Sequence, residues 1–160
     1  TLDCPSDRYV NDAAQCTAIA AQLATLQVRV TVRAEPKAQY YPRILRRDAG
    51  FYLMGWTPST YDAHGALNAL AACPRGEGAG HFNLGGYCDP RLDALLLQVQ
   101  TQTDKTRRDA LLREALLLQA ADIAYIPLHQ QALAWGVSKK IRLVQMADNT
   151  MPFKWMGVGP

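Results

Sequence analysis

No apolar run in these 160 residues approaches the roughly 18 that a membrane-spanning helix needs. Charge of one sign is scarce as well. There are 17 basic and 14 acidic residues, a formal net charge of +3. Only Arg46-Arg47, Arg107-Arg108 and Lys139-Lys140 place two bases side by side, too dilute a pattern for a nucleic-acid footprint. No CxxC pair occurs, which excludes zinc-ribbon and thioredoxin-type motifs. His64, His81 and His129 are dispersed without helical or hairpin ligand spacing, so no metal site is expected. Neither a Gly-x-Ser-x-Gly elbow nor a phosphate loop is present. Ser59, Asp62 and His64 share one loop, but closeness in sequence does not build a proton relay. No catalytic residue and no cofactor is expected.

What is there is ordinary globular material, 49% hydrophobic and 19% charged. The length suits one domain over residues 1–160 with a real core. Thr1 is not an initiator, no signal segment opens the chain, and Thr1-Leu2-Asp3-Cys4-Pro5 reads as the middle of a domain. The chain is therefore expected to be a piece of something longer. The four cysteines fall into two local pairs, Cys4 with Cys16 and Cys73 with Cys88. The second pair brackets the Gly-rich loop 74–80, and a bridge there would close a loop of about 15 residues, worth roughly 3 kcal/mol. The alternative is four buried free thiols in a cytosolic protein. The bridged reading points to an oxidising compartment such as the periplasm.

Along the chain, Asn11-Asp12 with Gln15 forms a capping-box pattern. Cys16, Ile19, Ala20 and Leu23 follow at helical spacing. Val28, Val30 and Val32 alternate with polar residues and predict a strand over 28–33. A second helix is expected over 38–47, with Pro42 near its start. Phe51-Tyr52-Leu53-Met54 reads as a strand buried on both faces. Asp89-Pro90 opens a helix with Leu92, Leu95, Leu96 and Val99 inward. Thr103-Asp104 opens another, with Leu111, Leu112, Ala115 and Leu116 inward and Arg107, Arg108 and Arg113 outward. Residues 124–128 and 132–135 read as strands, the first an edge because Pro127 lacks a donor. Residues 141–144 read as one more short strand.

The most informative stretch is the loop after Met54. Gly55-Trp56-Thr57-Pro58-Ser59-Thr60-Tyr61-Asp62-Ala63-His64 joins the apolar run to a helix over 66–70. In open α/β sheets, the crevice beyond the strand ends is where ligands bind. A flat Trp face beside hydroxyls and one carboxylate suits an organic ligand with polar ends.

These residues resemble the C-terminal lobe of the family 5 extracellular solute-binding proteins, the dipeptide-, oligopeptide- and nickel-binding components of bacterial ABC importers. The matching segments are Phe51 to Trp56, Tyr61 to His64, Phe82-Asn83-Leu84-Gly85-Gly86-Tyr87-Cys88-Asp89-Pro90-Arg91-Leu92-Asp93, Thr103-Asp104 with Arg107-Arg108, and Ile126-Pro127-Leu128-His129. They cover nearly the whole chain. The resemblance implies an α/β fold, one lobe of a two-lobed periplasmic-binding-protein-like fold (type II, cluster C). Residues 1–160 would be most of the C-terminal lobe of a periplasmic protein, made with a signal peptide. It implies a partner lobe, permease subunits and a small peptide or peptide-like solute, and it implies a disulfide at Cys73 and Cys88.

In peptide-binding members an Asp after the Gly-Trp pair meets the peptide's amino terminus; the matching position is Ser59, which carries no charge. In dipeptide binders an Arg before the lobe's first helix holds the ligand carboxylate. The matched position is Asp7, and Arg8 is its neighbour. Both departures weigh against simple dipeptide specificity. The candidate binding set is Gly55, Trp56, Thr57, Ser59, Tyr61 and Asp62, joined by Arg8. Trp56 is read as a stacking face or a core plug, and Asp62 as a ligand anion or a cap of the helix starting at Ala63. The competing function is a secreted interaction module that docks a protein on the Trp56 loop.

Overall fold

A computed structural model describes residues 1–76, 78–146 and 148–159. Its centre is strand β1, Leu2–Pro5, buried at all four positions. Helix α1, Asp12–Thr25, crosses over to β2, Val32–Glu35, which pairs with β1 in parallel from Leu2↔Val32 to Pro5↔Glu35. A parallel pair needs such a crossover, and α1 provides it. The Cys4–Cys16 disulfide ties β1 to α1 inside a cluster of Leu2, Cys4 and Cys16 with Ile19, Val30, Val32 and Leu53.

Two expectations are corrected in this unit. The strand begins at Val32 rather than Val28, and Val28 is 48% exposed because β1 has only four residues to pair with. The capping box does not form. Asn11 takes a left-handed backbone, φ 57°, with no side-chain cap. Asp12 instead accepts from the N–H groups of Arg8, Tyr9 and Ala13 at 3.0, 3.0 and 2.9 Å. Burial alone would raise this carboxyl, but those backbone donors hold it below its ordinary value.

On the other edge of β1, the Asp3 N–H donates to the Phe51 carbonyl and the Leu53 N–H to the Asp3 carbonyl, both at 2.9 Å. This is a single parallel bridge, Asp3↔Tyr52, and not the doubly buried strand expected over 51–54. Phe51 is 38% exposed, since one face of this short run lacks a cover. Helix α2, Lys37–Leu45, contains Pro42 past its first turn rather than near its start. It buries Tyr40 and Ile44 against Leu84, with Tyr41, Tyr52 and Met54 around them. Its Arg43 reaches the buried Asp3 and Glu35, each at 2.8 Å.

Three further helices pack together: α3, Ala63–Leu70; α4, Pro90–Thr101; and α5, Lys105–Ala121. Asp62, Asp89 and Asp104 cap them, each side chain accepting a backbone N–H. Leu92, Leu95 and Leu96 form their core with Leu67 and Ala115; Leu116, expected inward, is 44% exposed while Leu118 packs instead. Cys73–Cys88 closes the loop between α3 and α4. Gly80 there has φ +68°, and a Cβ would lie 2.5 Å from the Ala72 carbonyl, so no other residue fits. Glu77, within that Gly-rich loop, lies outside the described residues.

Beyond Tyr125 the expected strands over 124–128 and 132–135 do not form. Alternation calls for a partner strand, and among the described residues none lies alongside. Among the described residues of this region only β3, Ile141–Arg142, within the expected 141–144 strand, pairs, antiparallel with β4, Gly157–Val158. Among the described residues no helix is long and apolar enough to cross a membrane.

Candidate functional site

The loop from Gly55 to Asp62 is held at both ends. At the first end the Tyr9 hydroxyl accepts the Gly55 N–H at 2.8 Å and lies 3.2 Å from the Gly55 carbonyl, to which it donates. It also meets the Tyr41 hydroxyl at 3.1 Å. One hydroxyl has one proton and two lone pairs, so Tyr9 is saturated if Tyr41 donates. Burial, then the Tyr41 bond, pushes the Tyr9 phenol up to about 12, so it stays protonated at any ordinary pH. The ring itself packs on Gly55. A Cβ at that position would stand 2.7 Å from a Tyr9 ring carbon, which explains the glycine. Tyr40, buried behind, donates to the Leu53 carbonyl at 2.5 Å.

At the second end Asp62 does two structural jobs. One oxygen accepts the His64 N–H at 2.8 Å and caps α3; the other pairs with the Arg108 guanidinium from α5. The Arg108 bond holds the Asp62 carboxyl below its ordinary value. Arg108 was expected outward; its side chain turns in because Asp62 stands opposite. The His64 ring meets the Leu96 carbonyl at 3.1 Å, fastening α3 to α4.

Between these anchors the candidate residues stand on one arch. Trp56 is half-buried, its ring tilted on Phe82 with centroids 5.3 Å apart, and His81 stands edge-on to Phe82 at 4.7 Å. Thr57, Ser59 and Thr60 are exposed, and Tyr61 is 90% exposed at the crest. Arg8 follows β1 and lays its guanidinium 5.0 Å from the Tyr9 ring centroid, one ring away from Gly55. The fold thus brings the end of β1 and the Gly55 loop to the same edge of the sheet, as strand-end geometry requires. Tyr9, Phe82 and Arg108 complete this arrangement without being legible as site residues. The Tyr9–Gly55 and Asp62–Arg108 bonds each span 46 residues, and no local spacing marks such pairs.

A second concavity lies elsewhere, about 590 Å³ between α4 and α5, lined by Arg91, Leu95, Gln98, Glu114, Leu117 and Leu118. It is a wide, open groove between two helices, with Arg91, Gln98 and Glu114 at its rim and Arg91 already paired with Asp89. The arch at the sheet edge combines an aromatic face, hydroxyls and a cation.

No family model matches the chain, and no curated protein does. Solved structures do. The ABC transporter-associated periplasmic binding protein DppA from Helicobacter pylori, solved with the peptide STSA, aligns with a TM-score of 0.70 at 21% identity, over 79% of this chain and 24% of its own. A dipeptide binding protein from Pseudoalteromonas sp. SM9913, solved with Met-Leu, aligns with a TM-score of 0.74 at 15% identity, over 99% of this chain and 32% of its own. HbpA2 from Haemophilus parasuis gives 0.71 at 18%, over 99% and 32%. The chain therefore spans a quarter to a third of the length of these structures. At this identity the likeness speaks for architecture: the chain has the α/β fold of one lobe of a periplasmic binding protein.

Proposed function

We propose that this chain belongs to the solute-binding component of a bacterial ABC importer of the family 5 type, working in the periplasm. It takes small peptides or peptide-like organic solutes and delivers them to a membrane permease, and it is not an enzyme. The observation that carries the reading is the Gly55–Asp62 arch. Its backbone is fastened at one end by Tyr9 and its Asp62 side chain at the other by Arg108, while Thr57, Ser59 and Tyr61 face outward and Trp56 stays half-exposed. Fixing a loop beforehand lowers the ordering cost of binding. Trp56 offers a stacking face, Thr57, Ser59 and Tyr61 offer hydrogen bonds, and Arg8 offers a charge. The residues assigned to the ligand are thus Gly55, Trp56, Thr57, Ser59, Tyr61 and Arg8, with Asp62 holding the loop's far end. A lobe alone leaves the solute half exposed, so the second lobe supplies the enclosure.

Native mass spectrometry of the full-length protein purified from its host tests this. The expected result is a non-covalent adduct of peptide size that disappears on unfolding. A bare protein that also binds nothing from a short-peptide library would overturn the reading, and a co-purifying protein on the Trp56 loop would favour a docking module.

A further inference from the structure

The turn between β1 and α1 is fastened from several sides. Asp12 is 3% exposed; its Oδ2 accepts the N–H groups of both Arg8 and Tyr9 at 3.0 Å, while its Oδ1 accepts that of Ala13 at 2.9 Å. The Gln15 side-chain amide donates to the Val10 carbonyl at 2.7 Å, and the Gln15 N–H to the Asn11 carbonyl at 2.8 Å. The Cys4–Cys16 disulfide closes the segment that contains the turn. Two N–H groups converging on one point call for a strong acceptor, and a charged carboxylate oxygen serves them better than a neutral one. Buried and taken up by backbone donors, Asp12 is out of reach of a solute.

What the turn carries is Tyr9. Its ring stands against Gly55, and its hydroxyl accepts the Gly55 N–H at 2.8 Å and donates to the Gly55 carbonyl at 3.2 Å. A chain of contacts therefore runs from the Asp12 carboxylate through the Tyr9 backbone and ring to Gly55, the first residue of the arch. Binding groups keep their geometry to within about half an ångström only when the residues behind them are locked by hydrogen bonds of their own.

We propose that Asp12 is a positioning residue of the arch, acting on Gly55 through Tyr9. The inference rests on the solute-binding reading above and adds to it a residue that touches no solute. Such a residue changes affinity for every solute alike and leaves the preference among them as it was. The test pairs calorimetry of the full-length protein against a short-peptide panel with hydrogen–deuterium exchange of the segment carrying Gly55. Asp12→Ala and Tyr9→Phe should each weaken binding about tenfold for every peptide and speed exchange at Gly55. The double variant should bind within about twofold of the weaker single variant, because both changes cut one chain of contacts. Asp89→Ala, which uncaps α4, should lower the melting temperature and leave affinity and Gly55 exchange as in the parent. Asp12→Asn, which keeps one acceptor oxygen, carries the test should the alanine variant fail to fold. Binding losses that add, or Gly55 exchange at the parent rate in the Asp12 variant, would overturn this inference and leave solute binding standing. A parent that binds no peptide would overturn the solute-binding reading, while faster Gly55 exchange in both single variants would still support the link from Asp12 to the arch.

Discussion

Residues 1–125 and residues 126–159 both carry apolar runs, but among the described residues the fully buried apolar side chains all lie in the first region. In the first region Leu2, Leu92 and Val99 are 1%, 0% and 0% exposed. In the second, Ile126, Leu133 and Trp135 are 67%, 47% and 47% exposed, and Phe153 is 85% exposed. The difference lies in partners rather than in pattern. β1 has β2 on one edge, residues 51–53 on the other and α1 above. The run through Trp135 has one side-chain bond, from its indole N–H to Asn149 at 3.1 Å. Alternation states a demand for burial; a neighbouring strand decides whether the demand is met.

The sharpest way to break this comparison is a pair of equal truncations. Leu92→Ala empties a fully buried site and should cost ~2–5 kcal/mol. Leu133→Ala, on an exposed run, should stay within about 0.5 kcal/mol. Chemical denaturation of both variants measures it, and equal losses would mean that the second region packs as firmly as the first.

Next in size is the bridge that closes the loop between α3 and α4. Replacing Cys73 and Cys88 together by Ser should cost about 3 kcal/mol, the value for a closed loop of ~15 residues. Differential scanning calorimetry reads the loss. A stability equal to that of the parent would show that the loop is ordered without the bridge, by Gly80 and by the buried Asn83 amide, which donates to the Ala72 and Tyr87 carbonyls at 2.8 and 2.6 Å.

A smaller effect belongs to Asp62. Asp62→Ala removes a helix cap and should cost about 1 kcal/mol. Its pH dependence has a definite sign. The folded carboxyl is held low by Arg108, so its contribution is fully present above the unfolded value near 4 and fades as pH falls through the lower folded value. The parent should therefore lose stability in acid faster than the Asp62→Asn variant. Parallel melting curves at falling pH would contradict the pairing.

What could be read from the sequence, and what could not, follows the reach of each interaction. The starts of α4 and α5 were legible because Asp89-Pro90 and Thr103-Asp104 act within one turn. The inward faces of α1 and α4 were legible from periodicity, and both disulfide pairings from local bracketing. The strand expected over 28–33 was misplaced because its length is set by β1, far away in sequence. The Gly55–Trp56 loop stood out in the sequence, but what holds it did not. Tyr9 and Arg108 are each 46 residues from their partners, and Phe82 packs on Trp56 from a distant part of the chain. The double role of Asp62 as cap and ion-pair partner was visible only in its first half.

The account rests on Trp56 being a presented face rather than a plug of the core. Titration of the full-length protein and its Trp56→Ala variant with a short-peptide panel, alongside thermal melts of both, tests this most directly. The expected result is a loss of ~1–3 kcal/mol in binding with the melting transition unchanged. A variant that melts early while its folded fraction binds like the parent would place Trp56 in the core with Phe82 and remove the arch from the binding site.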